Sequence, residues 1–173
     1  VSLDKLRFLE EVLYGKLTTM ILNQANLENA VLGADLVIGA VLIPGAKAPV
    51  LVTDEMVKQM KRGSVIVDIS IDQGGCVETS QPTTHANPTY VKHNVVHYCV
   101  TNMPGAVART STYGLTNATL PYVRSLARLG WKEACKKDAS LKLGLNLAEG
   151  KVIHPAVAEA FQVAYLDATK VIT

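Results

Sequence analysis

The first 105 residues of this chain alternate between two hydrophobic periodicities, and this alternation constrains the fold more than any other feature of the sequence. Residues 1–14 carry leucines at helical spacing and are followed by Gly15 as a stop signal. Residues 36–42 are instead continuously apolar, which is typical of a strand buried on both faces of a parallel sheet. Alternating helices and strands favour a parallel α/β sheet whose strands are joined by right-handed crossovers.

The same patterns predict further elements in this part of the chain. We expect helices at residues 1–14, 26–33 and 55–61, and strands at residues 17–22, 36–42, 64–71 and 95–100. Thr53 is the expected N-cap of the third helix, because a Thr followed by acidic residues stabilises a helix start. The polar residues 76–94, which contain prolines and several threonines, are predicted to form an irregular loop.

From residue 110 onward the periodicity becomes helical. We expect a long helix at residues 110–129, ended by Gly130, with more apolar surface than a solvent-facing helix needs. Shorter helical segments are expected at residues 131–135, 141–147 and 155–161. The change of pattern near Gly105 predicts a domain boundary between residues 1–105 and 106–173.

Composition excludes several classes of protein. With 49% hydrophobic residues among 173, the chain can bury the core of one ordinary domain. A net charge of +2 gives no reason to predict binding to nucleic acid or to an anionic membrane. No apolar run reaches the roughly 18 residues that a membrane-spanning helix requires.

The cysteines and histidines do not predict a metal site. The spacings of Cys76, Cys99 and Cys135 fit neither a CxxC pair nor a zinc pattern, which indicates buried, reduced thiols in a cytosolic protein. The histidines between residues 85 and 97 are close in sequence, but no carboxylate or thiolate completes a ligand set at plausible spacing.

Three predicted strand ends carry residues suited to ligand binding, and ligands bind outside the carboxyl ends of the strands in an open parallel sheet. Glycines or prolines occur in residues 40–49, 69–75 and 100–105, where they fix sharp turns and let the backbone approach a flat ligand. Asp72 lies at such an end, and Asp68 would lie on the same face of the strand by its period of two. Asp72 is therefore either a functional carboxylate or a turn residue that bonds its own backbone, and the residues alone favour neither.

In several segments the sequence resembles the alanine dehydrogenase family. The resemblance lies in residues 34–49, in 63–68 with the Asp-Gln-Gly-Gly turn at 72–75, in 88–90, in Asn-Met-Pro-Gly-Ala-Val at 102–107, and in 110–112 and 115–122. It extends from residue 1 to about residue 160. The first two segments are also similar to the proton-translocating transhydrogenase subunit, whereas the later ones favour alanine dehydrogenase. Ala108 stands where we expect Pro in the family.

The resemblance implies a fold and a reaction. Residues 1–105 would be a partial NAD-binding domain, the distal part of a Rossmann-type parallel sheet without its first strands. Residues 106–173 would be helices that return to the substrate domain and belong to that catalytic domain. The implied reaction is the reversible oxidative deamination of L-alanine to pyruvate and ammonia, with NAD as the hydride acceptor, in a cytoplasmic enzyme that is usually a homohexamer.

The resemblance also implies roles for individual residues. Asp72 matches the family's active-site carboxylate, which would position water or ammonia beside the nicotinamide. Asn102 and Met103 match residues at the nicotinamide end, and Lys5 lies near the adenosine ribose. With the residues lining the cofactor cleft and the strand ends, the expected NAD-binding set is Lys5, Val41, Leu42, Ile69, Ser70, Ile71, Asp72, Val100, Thr101, Asn102 and Met103.

Several parts of such a site have no counterpart in this sequence. There is no Gly-x-Gly-x-x-Gly turn to hold pyrophosphate. Val1 is not Met and lies inside a predicted helix, so we expect the protein to begin upstream, where the ribose-binding acid, the substrate-binding Arg and Lys and the catalytic His would lie. No catalytic role is assigned to any of the four histidines, which are His85, His93, His97 and His154.

The absence of the upstream strands has two consequences for the sheet. In the strand order 3-2-1-4-5-6, residues 17–22 would lack their sheet neighbour and residues 36–42 would become an edge strand.

The alternatives to alanine dehydrogenase are the NAD-binding subunit of a proton-translocating transhydrogenase and a non-catalytic NAD-binding or scaffold protein. A long helix after Gly105 that returns to a substrate domain would favour the dehydrogenase over the transhydrogenase, and alanine-dependent NAD reduction would exclude the non-catalytic protein.

Overall fold

The computed structural model describes residues 2–13 and 15–172. The chain divides into two compact units, the first formed by Val1–Val41 and Pro49–Thr101 and the second by Leu42–Ala48 and Asn102–Thr173. The predicted helix ends at Val1 and Tyr14 lie outside the described residues.

The first unit is an α/β layer structure built on one sheet. Its helices are α1 (Leu3–Val12), α2 (Gln24–Gly33) and α3 (Asp54–Gln59), and its strands are β1 (Leu36–Gly39), β2 (Val65–Asp68), β3 (Thr89–Lys92) and β4 (Val95–Tyr98). The strand order is β1-β2-β4-β3, in which β1, β2 and β4 are parallel and β3 is antiparallel to β4. The predicted fold class, a mostly parallel Rossmann-type sheet with helices, is confirmed.

Helix starts follow the capping chemistry of the sequence. Thr53 is the N-cap of α3, as predicted, and its hydroxyl accepts the N–H of Met56 at 3.2 Å. Helix α2 begins earlier than expected because Asn23, rather than Asn26, is its N-cap, and Asn23 Oδ1 accepts the N–H of Asn26 at 2.8 Å.

The strand expected at residues 17–22 is absent, so this prediction was wrong. The segment is non-helical and exposed, with 49% of Met20 and 56% of Ile21 accessible to solvent. A strand forms only where its N–H and C=O groups find a ladder partner, and no strand of residues 2–13 and 15–172 pairs with this segment.

Strand β1 is shorter and more exposed than the apolar run from residue 36 to 42 suggested. Leu36 is 53% exposed and Ile38 is 57% exposed, whereas Ile66 in neighbouring β2 is fully buried. The prediction of an edge strand is confirmed, but the prediction of burial on both faces was wrong. β2 covers one side of β1, and no described strand lies on the other side.

Two further predictions about this unit were wrong. Strand β2 ends at Asp68, and residues predicted to extend it form a 3₁₀ helix, Ile69–Gln73, so Asp68 and Asp72 do not share a strand face. Residues 76–94 are not wholly irregular, because they contain β3. The hairpin from β3 to β4 turns at His93 and Asn94, which both have positive φ (53° and 62°), as two-residue hairpin turns of the favoured twist require.

The second unit is mostly helical. It contains α4 (Ala108–Lys137), α5 (Ala139–Leu143), β5 (Leu147–Ala148), β6 (Lys151–Val152) and α6 (Pro155–Phe161), with 3₁₀ helices at Met103–Val107 and Ala168–Lys170. The expected stop at Gly130 is confirmed as a break inside α4, where φ is 73° and ψ is 160°. The helix expected at residues 141–147 ends at Leu143 with Gly144 as its C-cap, and Leu147 instead pairs with Val152 in a short hairpin.

Three other features of the chain bear on its class. Cys76, Cys99 and Cys135 are free and buried, as expected. Within residues 2–13 and 15–172 no helix has both the length and the apolarity needed to cross a membrane. The same residues contain no group of three or more His, Cys, Asp or Glu side chains arranged to hold a metal ion.

Candidate functional site

The carboxyl ends of the three parallel strands lie at one edge of the sheet. Gly39 at the end of β1 pairs with Asp68 at the end of β2, and Val67 of β2 pairs with Tyr98 at the end of β4. The segments that follow β1 and β2 are joined by one side chain. The N–H of Val41 donates to Ser70 Oγ at 2.7 Å, and the Ser70 hydroxyl donates to the Val41 carbonyl at 2.9 Å. Two predicted cofactor-binding residues are thus held together at this edge.

Asp72 lies in the 3₁₀ helix that follows β2. Its side chain is exposed and makes no hydrogen bond or ion pair with any residue that the structure describes. The structure therefore does not support the alternative in which the Asp72 side chain bonds the backbone of its own turn. Gly74, at φ 98°, ends this helix, and its N–H donates to the Ile71 carbonyl at 3.1 Å. A carboxylate without a neutralising neighbour is available to a ligand.

Gly75 and Asp68 determine how the turn after Asp72 packs. Gly75 has φ 79°, and a Cβ atom there would lie 2.9 Å from Asp68 Oδ2. Both the backbone conformation and the space next to Asp68 therefore require glycine at this position.

Asp68 is fully buried and accepts hydrogen bonds from both ends of the segment that carries Asp72. Its Oδ1 accepts the N–H of Ser70 at 3.0 Å, and its Oδ2 accepts the N–H of Cys76 at 2.9 Å and of Val77 at 3.2 Å. The Ser80 hydroxyl donates to Oδ2 at 2.7 Å, and the Cys76 thiol lies 3.5 Å from Oδ1. Asp68 is thus the structural carboxylate of this edge, whereas Asp72 is the exposed one.

Cys76 fills the space beside β1 that a glycine leaves open. A Cβ atom on Gly39 would lie 2.4 Å from Cys76 Sγ, so β1 and the segment after Asp72 pack closely only because residue 39 is glycine. Burial, followed by the nearby Asp68 carboxylate, raises the pKa of the Cys76 thiol above its ordinary value. Cys76 is therefore a packing residue and not a nucleophile at neutral pH.

His97 in β4 belongs to a buried hydrogen-bond network. Its Nδ1 lies 3.0 Å from the Val95 carbonyl, to which a ring nitrogen can only donate, and its Nε2 lies 2.7 Å from the Thr79 hydroxyl. Tyr90 stacks on it with ring centroids 4.9 Å apart and donates to the Thr79 carbonyl at 2.8 Å. Burial lowers the pKa of His97 and raises that of Tyr90, which fits a structural role.

The remaining predicted cofactor residues of the first unit differ in accessibility. Ile69 and Thr101 are exposed, whereas Ile71 and Val100 are buried. Lys5 is exposed on α1, where its N–H lies 3.4 Å from the Ser2 hydroxyl. Its side chain makes no ion pair with another described residue.

Three predicted cofactor residues belong to the second unit. Leu42 is 67% exposed and lies in the short segment Leu42–Ala48, and Asn102 and Met103 lie where the 3₁₀ helix Met103–Val107 begins. In the same unit, a Cβ atom on Gly45 would lie 2.9 Å from Ala156 Cβ, so this loop packs closely on the start of α6.

The sequence patterns missed two features of the site. Asp68 was recognised only as a second carboxylate, although an acidic residue ending an otherwise apolar β run is a signal for a buried acceptor. Gln73, next to Asp72, has a buried Oε1 that accepts no hydrogen bond from a described residue. A buried acceptor without a partner is uncommon in proteins.

Comparison with known proteins identifies similar chains. Residues 1–155 match the family model "Alanine dehydrogenase/PNT, C-terminal domain". The alanine dehydrogenase of Halomonas elongata is 55% identical over 171 residues, which are 99% of this chain and 46% of that protein. The chain spans about half the length of the curated relatives it matches.

Two solved structures are also similar. An L-alanine dehydrogenase matches with a TM-score of 0.79 and 49% identity, over 94% of this chain and 45% of its own. A transhydrogenase from Sinorhizobium meliloti matches with a TM-score of 0.59 and 27% identity, over 78% of this chain and 36% of its own.

Proposed function

The chain belongs to the alanine dehydrogenase/PNT C-terminal domain family, and on this premise we propose that it forms the C-terminal part of an NAD-dependent alanine dehydrogenase. The proposed reaction is the reversible oxidative deamination of L-alanine to pyruvate and ammonia. The observation that carries the proposal is the exposed, unpaired Asp72 carboxylate next to the carboxyl end of β2, because sheets of this type bind ligands at that edge.

The residues at this edge fit the nicotinamide end of NAD. Ile69 offers exposed apolar surface near the exposed carboxylate of Asp72. We assign Asn102 and Met103 to the same end and Lys5 to the adenosine ribose. A cofactor complex should therefore have Asn102 and Met103 in contact with the nicotinamide or its ribose, and a nicotinamide bound at the opposite edge would contradict this assignment.

When bound, NAD supplies the acceptor for the hydride that leaves Cα of alanine. Asp72 would orient the water that attacks the imino carbon and accept its proton, and in the reverse direction it would orient ammonia. The Ser70–Val41 hydrogen bonds and the closely packed Gly75 hold the turn that presents Asp72, and such rigid support favours catalysis.

We further propose that the protein is a cytoplasmic homohexamer. The support from this chain is the exposed apolar surface of α4, where Tyr113 is 62% exposed and Leu115 is 68% exposed. Sedimentation of the full-length protein that contains this chain should give an oligomer, and a monomer would contradict the proposal.

The alternative is the NAD-binding subunit of a proton-translocating transhydrogenase. The similarity to the Sinorhizobium meliloti transhydrogenase supports it, but at 27% identity compared with 49% for the L-alanine dehydrogenase. A transhydrogenase subunit would bind NAD without reducing it in the presence of L-alanine.

The decisive experiment uses the full-length protein and its Asp72→Asn variant. The wild type should reduce NAD in the presence of L-alanine, and the variant should be slower by about 10²–10⁴-fold, the typical cost of losing a positioned acid or base. Asp35→Asn is the matched control, because Asp35 is exposed and its carboxylate pairs with Lys61 on the surface. Near-normal turnover of Asp72→Asn would contradict the role of Asp72, and no alanine-dependent NADH in the wild type would contradict the proposed reaction.

A further inference from the structure

We propose that Asp68 is a positioning residue for the reaction, which fixes the direction in which Asp72 is presented. This inference rests on the proposed role of Asp72. It extends that role from an exposed carboxylate to a second, buried carboxylate that never touches substrate.

The hydrogen bonds of Asp68 close the segment between residues 69 and 77 into a ring. One carboxylate oxygen binds the N–H of Ser70 at the start of the segment, and the other binds the N–H groups of Cys76 and Val77 at its end. Asp72 lies in the middle of the closed segment. A single side chain therefore sets both ends of the turn, and a shift at either end moves Asp72.

Burying the Asp68 carboxylate costs free energy, and this cost favours a role for the turn geometry that its hydrogen bonds impose. Asp68 is fully buried, and no Lys, Arg or His among the described residues forms an ion pair with it. A buried charge without a cation is stabilised only if its hydrogen bonds are good. Three backbone N–H groups, one hydroxyl and one thiol surround it, so every near group is a donor and the site requires an acceptor with two equivalent oxygens.

An amide at this position cannot satisfy the same donors. If the Asp68→Asn side chain directed its oxygen to Cys76, Val77 and Ser80, its NH₂ group would face the N–H of Ser70, and two donors would meet. Asp68→Asn should therefore release the start of the segment while its end stays bound. The substitution preserves the size of the side chain, so it tests the hydrogen bonds more than the packing.

The test is a double-mutant cycle on the full-length protein, with kcat and the KM values for L-alanine and NAD measured for Asp68→Asn, Asp72→Asn and the double variant. We expect Asp68→Asn to lower kcat by about 10- to 100-fold, as small misplacements of a catalytic group do. We expect the double variant to be no slower than Asp72→Asn, because Asp68 acts only through Asp72.

The possible outcomes separate this inference from the proposed function. If the two losses multiply, or if Asp68→Asn turns over like the wild type while Asp72→Asn is slow, the positioning role is overturned and the proposed function stands. If Asp72→Asn is as fast as the wild type, the proposed role of Asp72 fails and the positioning role fails with it. A wild type without alanine-dependent NADH production would contradict the proposed function itself. Asp35→Asn is the control and should match the wild type in each assay.

A milder variant covers the case in which Asp68→Asn does not fold, as judged by circular dichroism and thermal unfolding. Ser80→Ala removes one donor to Asp68 Oδ2 and leaves the carboxylate in place. We expect it to lower kcat by up to about 10-fold, the value of one hydrogen bond, and to have no added effect in the Asp72→Asn background. A wild-type kcat, or a loss that multiplies with that of Asp72→Asn, would overturn the inference.

Discussion

Strands β1 and β2 are hydrogen-bonded neighbours in one sheet, yet their surroundings are opposite. Ile66 and Asp68 in β2 are fully buried, whereas Leu36 and Ile38 in β1 are more than half exposed. The two strands have similarly apolar sequences, but β2 pairs with a strand on each side, whereas β1 pairs only with β2 among the described strands. The comparison shows that ladder pairing makes a strand, but that burial depends on what covers its faces and its other edge.

The second unit repeats this contrast within one helix. After the break at Gly130, Trp131 packs on a small buried cluster that includes Ile153 and Val171. Before the break, Leu115 is 68% exposed. Each unit thus contains buried apolar side chains that pack on one another and other apolar side chains that no described residue covers.

The largest loss of activity and of NAD binding is expected when residues 1–173 are tested apart from the full-length protein. Residues 1–173 alone should show no alanine-dependent NADH production and should bind NAD poorly, because the sequence has no Gly-x-Gly-x-x-Gly turn for pyrophosphate and β1 is an exposed edge. Calorimetric titration with NAD and a turnover assay measure both. Micromolar binding with measurable turnover would show that the essential groups lie within these residues.

A matched pair of isoleucines tests the contrast between the strands. Ile66→Ala should lower the free energy of unfolding of residues 1–173 by about 2–5 kcal/mol, whereas the exposed Ile38→Ala should change it by less than about 1 kcal/mol. Urea unfolding measures both. Equal losses in this chain would contradict the assigned exposure, and a larger loss for Ile38→Ala in the full-length protein would show that another segment covers β1 there.

A glycine substitution tests the close packing of β1 against Cys76. Gly39→Ala should destabilise the protein by about 1–3 kcal/mol, the usual cost of overpacking, because its Cβ would meet Cys76 Sγ. The double variant Gly39→Ala/Cys76→Ala should recover part of that loss. Gly33→Ala is the control, since a Cβ at Gly33 meets nothing within 4 Å. If both single glycine variants lost the same stability, the close contact would not be the cause.

The smallest expected effect is a pH dependence that arises in the buried part of the sheet. Burial lowers the pKa of His97 in the folded protein below its ordinary value of about 6.5. The unfolded chain therefore binds a proton first as the pH falls, and stability should decrease below about pH 6.5, by at most about 1.4 kcal/mol per pH unit for one proton.

Urea unfolding at pH values between about 7.5 and 5 measures this effect, because the ordinary pKa of aspartate, about 3.9, lies below that window. His97→Gln should flatten the dependence. An unchanged slope in His97→Gln would exclude His97 as its source.

Local patterns were sufficient for much of the fold. The alternation of periodicities predicted the parallel sheet, Thr53 predicted the start of α3, and Gly130 predicted the break in α4. These features depend on the backbone conformation and side-chain chemistry of a few adjacent residues. The sequence also placed Asp72 next to the carboxyl end of β2, because a turn rich in glycine follows an apolar run.

The errors occurred where distant residues decide the structure. Residues 17–22 have strand-forming side chains but no described ladder partner, and the carboxylate of Asp68 at the end of β2 binds the N–H groups of Cys76 and Val77, eight and nine residues later. The sequence by itself determined which segments could become helices, strands and turns. Only the tertiary structure decided which strands were covered, and that Asp68 is buried while Asp72 stays exposed, because burial and hydrogen-bond partners come from residues that are remote in the chain.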